Sequence, residues 1–238
     1  MIPLRDSEAS RRLTLANTIL IVVNFAVFGW QLHLARESGP TLIRYAMVPA
    51  RITHMSAHVY VGTQRPGGGF WAPLTLVTSL FLHAGWLHIL GNMLYLFIFG
   101  PAVEERMGHL RFLCFYLAAG IAAGVAMIAM GPESRVPVIG ASGAIAGVLG
   151  AYFILYPGGR ILTLVPFVIL IQLIEIPALL YLLVWFAIQL YSGLVAGANG
   201  PFVGGVAWWA HVGGFLFGMS LGPLLASASI ARRPRQRR

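Results

Sequence analysis

Hydrophobic residues in this chain fall into long blocks separated by short polar or glycine- and proline-containing stretches. Each block approaches the roughly 20 apolar residues that a helix needs to cross a bilayer. The pattern therefore predicts an all-α membrane protein with six transmembrane helices, at 13–34, 85–103, 109–130, 138–156, 177–195 and 205–227. The first block is too long for the apolar core of a typical signal peptide and no A-x-A-like site follows it, so we interpret it as a retained span.

Two stretches between the blocks are less regular. The apolar connection 161–176 contains Pro166, Gln172 and Glu175 and is interpreted as an interfacial or re-entrant segment. The alternative is a seventh span, which would place the two chain ends on opposite sides of the membrane. The longest extramembrane stretch, 35–84, mixes Arg, Gly and Pro with aromatic residues and is typical of short amphipathic pieces in the interface.

Composition supports the membrane assignment. Of 238 residues, 58% are hydrophobic and 10% are charged, and the mean hydropathy is +0.80. A soluble domain carries about 25% charged residues. We therefore expect one membrane domain over 13–227, preceded by a cytoplasmic segment at 1–12 and followed by a basic cytoplasmic tail at 228–238, with no second domain.

Arginine distribution indicates the orientation. With six spans and a cytoplasmic N-terminus, eleven arginines lie on the cytoplasmic side and five on the outer side. Positively charged loops stay in the cytoplasm, so both termini are expected there. The net charge of +9 thus mostly reflects topology. The final ARRPRQRR tail is expected to bind anionic lipid of the bilayer, and no nucleic-acid partner is expected.

Residue counts exclude several kinds of chemistry. All 16 basic residues are Arg, which excludes a Schiff base and a Ser-Lys dyad. A single Asp, Asp6, excludes an aspartyl dyad and makes a Ser-His-Asp triad an unlikely arrangement. A single Cys excludes an internal disulfide. His54 and His58 share a helical spacing, but HMSAH lacks the Glu of a zinc-protease motif, so no metal is expected.

Polar residues inside the spans are few, and four of them share one depth. His88 and Asn92 lie near the start of the second span, Ser142 near the start of the fourth, and His211 near the start of the sixth. In the predicted orientation these spans run from outside to inside. The four side chains therefore lie roughly 5–10 Å below the outer interface, at 1.5 Å rise per residue. Intramembrane polar groups are costly and often functional.

The helical faces agree with the depths. His88 and Asn92 are four residues apart and share a face. Small residues form a stripe on each of the fourth and sixth spans, and such stripes allow two membrane helices to approach closely. If the stripes face each other, Ser142 and His211 come within reach, as a histidine base and a serine nucleophile require. Gln189 and Ser220 are interpreted as ordinary packing or hydrogen-bonding residues.

Four motifs together resemble the rhomboid family of intramembrane serine proteases. They are HAGWLHILGN (83–92), GPAVEERMG (100–108), GASG (140–143) and AHVGGFLFG (210–218), in the family's order and at compatible spacings. The resemblance covers about residues 13–225. It implies a six-helix rhomboid-like bundle that cuts single-span or other transmembrane protein substrates near the outer face of the membrane, without a cofactor.

The resemblance also implies roles for individual residues. Ser142 would be the nucleophile and His211 the general base, while His88, Asn92 and the backbone N–H of Ser142 would form the oxyanion hole. The remaining residues would have supporting roles: His83 at the water entrance, Gly140 and Gly143 in the serine motif, Glu104 and Arg106 at the cytoplasmic helix ends, and Gly214 and Gly218 in the contact between the fourth and sixth spans.

Without an acid to orient it, His211 would form a two-residue dyad held by packing and neutral hydrogen bonds. The loop at 193–204 and the fifth span match the family's cap and substrate gate. Two alternatives remain: a catalytically inactive relative that binds and traffics membrane proteins, and a small transporter with the polar cluster as its substrate site. A bacterial plasma membrane is the expected location, since no Arg/Ser-rich transit segment precedes the first span.

Overall fold

A computed structural model describes most of the chain at the level of individual residues. The described ranges are 2–8, 10, 13–37, 41–54, 71–167, 170–198 and 206–226. Parts of the predicted outer segment and of the 193–204 loop, and the whole basic tail at 228–238, lie outside the described residues.

Six long helices coincide with the six predicted blocks. Two short helices, α2 (Pro49–Thr53) and α3 (Thr75–Thr78), lie in the outer segment, together with single 3-10 turns. The long helices are α1 (Leu15–Glu37), α4 (Trp86–Met107), α5 (His109–Met130), α6 (Ser142–Leu155), α7 (Ala178–Ala198) and α8 (Trp208–Leu225).

Four of these helices, α1, α4, α5 and α7, are long and apolar enough to cross a membrane among the residues that the structure describes. By contrast α6 has only 14 residues, or about 21 Å of helix, against a hydrocarbon core of about 30 Å. The backbone immediately before α6 is not helical, and Ser142 is the first residue of the helix.

Glycines bring α6 and α8 into backbone contact. A methyl group built at Gly218 would lie 2.7 Å from the carbonyl carbon of Gly147, and one at Gly150 would lie 2.9 Å from the carbonyl carbon of Phe215. Both separations are too short for carbon atoms that are not bonded. The predicted close contact between the fourth and sixth spans is therefore present, and its geometry requires glycine at these positions.

The other side of α6 packs on α5. A methyl group at Gly143 would lie 2.6 Å from the Cβ of Ala123. Every residue of α6 from Gly143 to Tyr152 is buried. The helix that begins with Ser142 is therefore the central helix of the bundle, and its position is fixed from both sides by small side chains.

A small antiparallel sheet accompanies the predicted helices. The strands are β1 (Ile2–Asp6), β2 (Arg160–Phe167) and β3 (Leu170–Pro177), in the order β1-β2-β3. In the register Asp6 lies opposite Ile161, and Leu162 lies opposite Glu175. The interpretation of 161–176 as a possible seventh helical span is wrong, since this stretch forms a β-hairpin.

The hairpin has a physical cause in its sequence. Pro166 has no backbone N–H and disfavours a helix through this stretch. Ile161 and Thr163 are fully buried while the residues between and beside them are not, which is the period of two of a strand. The N-terminal segment 1–12 supplies the strand β1, which pairs with β2.

Asp6 ties this sheet to the end of the central helix. The hydroxyl of Tyr152 in α6 and the backbone N–H of Glu8 both donate hydrogen bonds to Oδ1 of Asp6. Burial, the largest influence, raises the pKa of Asp6 from 3.8 to about 6. The sheet therefore caps α6 at the end opposite Ser142.

Glu104 joins the ends of α4 and α1. Its side chain is 1% exposed, and its carboxylate accepts hydrogen bonds from the backbone N–H groups of Ala16 at 3.0 Å and Asn17 at 2.7 Å. These are among the N–H groups at the start of α1 that have no partner within the helix. A carboxylate there also interacts favourably with the helix dipole.

Candidate active site

The contact between α6 and α8 brings Ser142 and His211 together. Oγ of Ser142 lies 2.8 Å from Nε2 of His211. Ser142 is the first residue of α6, and His211 lies about one turn before Gly214 in α8. The separation is that of a hydrogen bond, as expected for a serine whose proton is to be taken by a histidine.

The second nitrogen of the His211 ring contacts a residue that sequence reasoning missed. Nδ1 of His211 lies 2.7 Å from Oε1 of Gln189 in α7. An amide oxygen accepts hydrogen bonds, so Nδ1 carries the proton and Nε2 presents its lone pair to Ser142. The available signal was that Gln189 is a polar residue within an apolar span, which by itself does not identify its partner.

Aromatic rings enclose the histidine. The ring centroid of Trp185 lies 5.9 Å from that of His211, and Trp208 stands almost perpendicular to the imidazole at 6.2 Å. These rings restrict the movement of the imidazole on the sides that Ser142 and Gln189 leave open.

His88 and Asn92 present hydrogen-bond donors close to the serine. The backbone N–H of Ala84 donates to Nδ1 of His88 at 3.3 Å, so Nε2 is the nitrogen that carries the proton. Nδ2 of Asn92 is buried and has no hydrogen-bond partner in the described part of the chain. Such a buried unsatisfied donor is costly and needs an explanation, which a ligand would supply.

Gly140 leaves the space in which these donors lie. A methyl group built at this position would be 2.7 Å from Nε2 of His88 and 3.7 Å from Nδ2 of Asn92. The residue also has a φ of +121°, a conformation that glycine adopts readily and other residues rarely do. Both facts explain the glycine two positions before Ser142.

A cavity of about 580 Å³ connects these groups. This volume is within the range of ligand pockets. The walls come from α4, α6, α7, α8 and the loop before Ser142, and they are largely apolar. The polar residues that line it are His88, Asn92, Ser142, Gln189 and His211.

His83, for which the resemblance implies a place at a water entrance, is deeply buried. It is 2% exposed and is absent from the cavity lining. Its ring lies behind that of His88, edge-on at 5.1 Å, and Gln31 of α1 holds its backbone through hydrogen bonds to both N–H and C=O. Burial lowers the pKa of His83 to about 4, so the ring is neutral at physiological pH and supports His88 by packing.

The remaining residues singled out from the sequence do not line the cavity. Gly143 faces α5, as described above. At the opposite end of the bundle, Nδ1 of His109 contacts the carboxylate of Glu104, and the guanidinium of Arg106 lies over the ring of Tyr156 at 5.6 Å. In the segment between α1 and α4, His54 lies 2.8 Å from the carboxylate of Glu133, and His58 lies outside the described residues.

Comparison with known proteins adds independent information. The model of the Rhomboid domain matches residues 70–228. The putative rhomboid protease YdcA of Bacillus subtilis is 41% identical over 85 residues, which are 36% of this chain and 41% of that protein. The rhomboid protease GluP of the same species is 45% identical over 84 residues, or 35% of this chain and 15% of that protein.

A plant protein matches over a longer stretch. RHOMBOID-like protein 6, mitochondrial, of Arabidopsis thaliana is 34% identical over 150 residues, which are 63% of this chain and 43% of that protein. The chain thus spans less than half the length of each of these relatives.

Proposed function

This chain belongs to the rhomboid family, and from that premise we propose that it is an intramembrane serine endopeptidase that uses Ser142 and His211 as a catalytic pair. The observation that carries the proposal is the 2.8 Å contact between Oγ of Ser142 and Nε2 of His211 in a largely apolar cavity. The buried, unpartnered amide of Asn92 adjoins the same cavity and supports the same reaction.

The reaction follows from the positions of these groups. Oγ of Ser142 attacks the carbonyl carbon of the substrate while its proton passes to Nε2 of His211. The C–N bond then breaks, His211 gives the proton to the leaving amine, and an acyl-enzyme remains. Water, deprotonated by the same nitrogen, releases the acyl group and restores Ser142.

The oxyanion of the tetrahedral intermediate needs hydrogen-bond donors. Nε2–H of His88, Nδ2–H of Asn92 and the backbone N–H of Ser142 are the candidates. The last is a first-turn N–H of α6, which has no acceptor within its own helix, and the positive end of the helix dipole lies beside it. Removing one such donor from a preorganised site costs about 100-fold to 1000-fold in rate.

The protein is an integral membrane protein, and we infer that all six long helices cross the bilayer with both termini in the cytoplasm. The arginine distribution, eleven on the cytoplasmic side against five outside, supports this orientation. Ser142 then faces the outer half of the membrane, and the substrates are transmembrane proteins cut near that face. We infer a bacterial plasma membrane as its location.

The test is reconstitution of the purified protein in liposomes with a labelled single-span substrate. Wild type is compared with Ser142→Ala, His211→Ala and Ser220→Ala. Ser220 is the matched control, because its hydroxyl donates to the carbonyl of Leu216 within α8 and lies outside the cavity that holds Ser142 and His211. Cleavage is expected in wild type and the control and absent in the other two; equal cleavage by all four would refute the catalytic pair.

A covalent probe gives a second readout that does not depend on the choice of substrate. A fluorophosphonate is expected to label wild type on Ser142 and to label His211→Ala much more slowly. Absence of labelling in correctly folded wild type, combined with absence of cleavage, would favour a catalytically inactive member of the family.

A further inference from the structure

We propose that Gln189 is a positioning residue that fixes the tautomer of His211. The inference rests on the proposed function and concerns the third group of the site, which lies on α7 and not on the helices of the nucleophile and the base. Oε1 of Gln189 lies 2.7 Å from Nδ1 of His211, on the opposite side of the ring from Ser142.

The orientation of the amide follows from its other contact. Nε2 of Gln189 donates to the backbone carbonyl of Trp185, one turn earlier in α7, at 3.3 Å. With the NH₂ end bound to this carbonyl, the oxygen is the end that faces His211, and an amide assignment is made from such a network. Gln189 is 6% exposed, so water competes poorly for either contact.

The chemical consequence is a choice between two forms of neutral imidazole. A neutral ring carries its proton on Nδ1 or on Nε2. With the proton on Nδ1, Nε2 accepts the proton of Ser142; with the proton on Nε2, the ring cannot act as base. In a Ser-His-Asp triad the wrong tautomer costs about 10⁴-fold in rate. Gln189 stabilises the productive tautomer without adding a charge to the apolar site.

A neutral amide also fits the composition of the chain. The sole Asp residue, Asp6, lies in β1 at the other end of α6, so it is not available to hold the ring. The amide of Gln189 provides the acceptor that an aspartate provides elsewhere. We therefore assign Gln189 as a third residue that positions the base of the Ser142–His211 pair.

The experiment replaces Gln189 by Leu, which has a similar volume and no acceptor, and by Glu, which keeps an oxygen at the same reach. Ser192→Ala is the control, a removal of a polar group from the same helix. Fluorophosphonate labelling of Ser142 and cleavage of the labelled substrate are measured from pH 5 to 9 on proteins with matched thermal unfolding.

Gln189→Leu is expected to lower the labelling rate about 10-fold to 100-fold, the effect of one buried hydrogen bond, with KM for the substrate unchanged. Gln189→Glu is expected to recover most of the rate. Its carboxylate stabilises the imidazolium, so the acid limb of the rate profile moves to higher pH. Labelling by Gln189→Leu within two-fold of wild type would overturn the proposal.

Nitrogen NMR of the protein with isotope-labelled histidine measures the tautomer of His211 directly, whether or not the protein is an active protease. At pH 8 the proton of His211 is expected on Nδ1 in wild type and in Ser142→Ala. In Gln189→Leu a substantial part is expected on Nε2. If His211 keeps its proton on Nδ1 in Gln189→Leu, the role of Gln189 is refuted. If Ser142→Ala cleaves the substrate as fast as wild type, the proposed function is refuted. The two failures are thus distinguishable.

Discussion

The substitution Gly218→Ala, which adds one methyl group, tests the contact between α6 and α8 that brings Ser142 and His211 together. In Gly218→Ala the new Cβ would lie 2.7 Å from the carbonyl carbon of Gly147 and 2.9 Å from its Cα. Carbon atoms that are not bonded prefer about 3.5–4.0 Å. The neighbours are backbone atoms of α6, which have no rotamer to change, so α6 and α8 must separate by about 1 Å.

Moving α8 away from α6 would also lengthen the distance between Oγ of Ser142 and Nε2 of His211. Gly218 lies seven residues from His211, about 10 Å along α8. An increase of about 1 Å in the 2.8 Å distance between Ser142 and His211 would exceed a hydrogen bond. Overpacking of this kind costs about 1–3 kcal/mol in stability. We therefore expect a lower unfolding temperature together with a loss of fluorophosphonate labelling of at least about 10-fold.

Gly29→Ala is the matched control, because a methyl group at Gly29 in α1 meets no atom within 4 Å among the described residues. This variant is expected to label within two-fold of wild type and to unfold at an unchanged or slightly higher temperature. Both variants are measured in the same detergent and lipid. If Gly218→Ala labels and unfolds like wild type, the reasoning from backbone contact is refuted.

Three other changes test separate parts of the molecule. Because burial raises the pKa of Asp6 from 3.8 to about 6, the contribution of this residue to stability is complete below pH 3.8 and is lost as the pH rises through 6. Asp6→Asn is therefore expected to be more stable than wild type by up to about 3 kcal/mol above pH 7 and equally stable at pH 3.5. Thermal unfolding of both proteins across this pH range is the measurement. Asn92→Ala is expected to lower kcat about 100-fold to 1000-fold with little change in unfolding temperature, since its amide hydrogen-bonds to no described group. Glu104→Ala leaves two N–H groups of α1 without their acceptor and is expected to cost about 1–2 kcal/mol of stability, while the folded fraction, separated by size-exclusion chromatography, cleaves substrate at the normal rate.

The six long helices were predictable because each gives a long apolar block that is recognisable without knowledge of its neighbours. The small sheet was not, because β1 and β2 are more than 150 residues apart in sequence and neither strand is stable alone. The strands β2 and β3 are also so rich in apolar residues that their composition resembles that of a transmembrane helix. Pro166 signalled that a helix was disfavoured there, and Gln172 and Glu175 that the stretch was more polar than an ordinary span.

Within the site, the depth and face of His88, Asn92, Ser142 and His211 followed from helix geometry. The contact of Gln189 with His211 did not, because it depends on the rotation of α7 about its own axis, which a uniformly apolar helix does not reveal. The position of His83 behind His88 likewise depends on how Gln31 of α1 anchors the chain before α4, a contact between residues 52 positions apart.

The brevity of α6 has a consequence for the surrounding lipid. A 14-residue helix falls about 9 Å short of a normal hydrocarbon core, and the irregular backbone before Ser142 is tolerated at that depth only if protein or water satisfies it. A bilayer that thins around the protein reduces this mismatch. Acyl-chain length is therefore expected to affect the stability of the protein, with short-chain lipid matching the central helix and thicker membranes straining it.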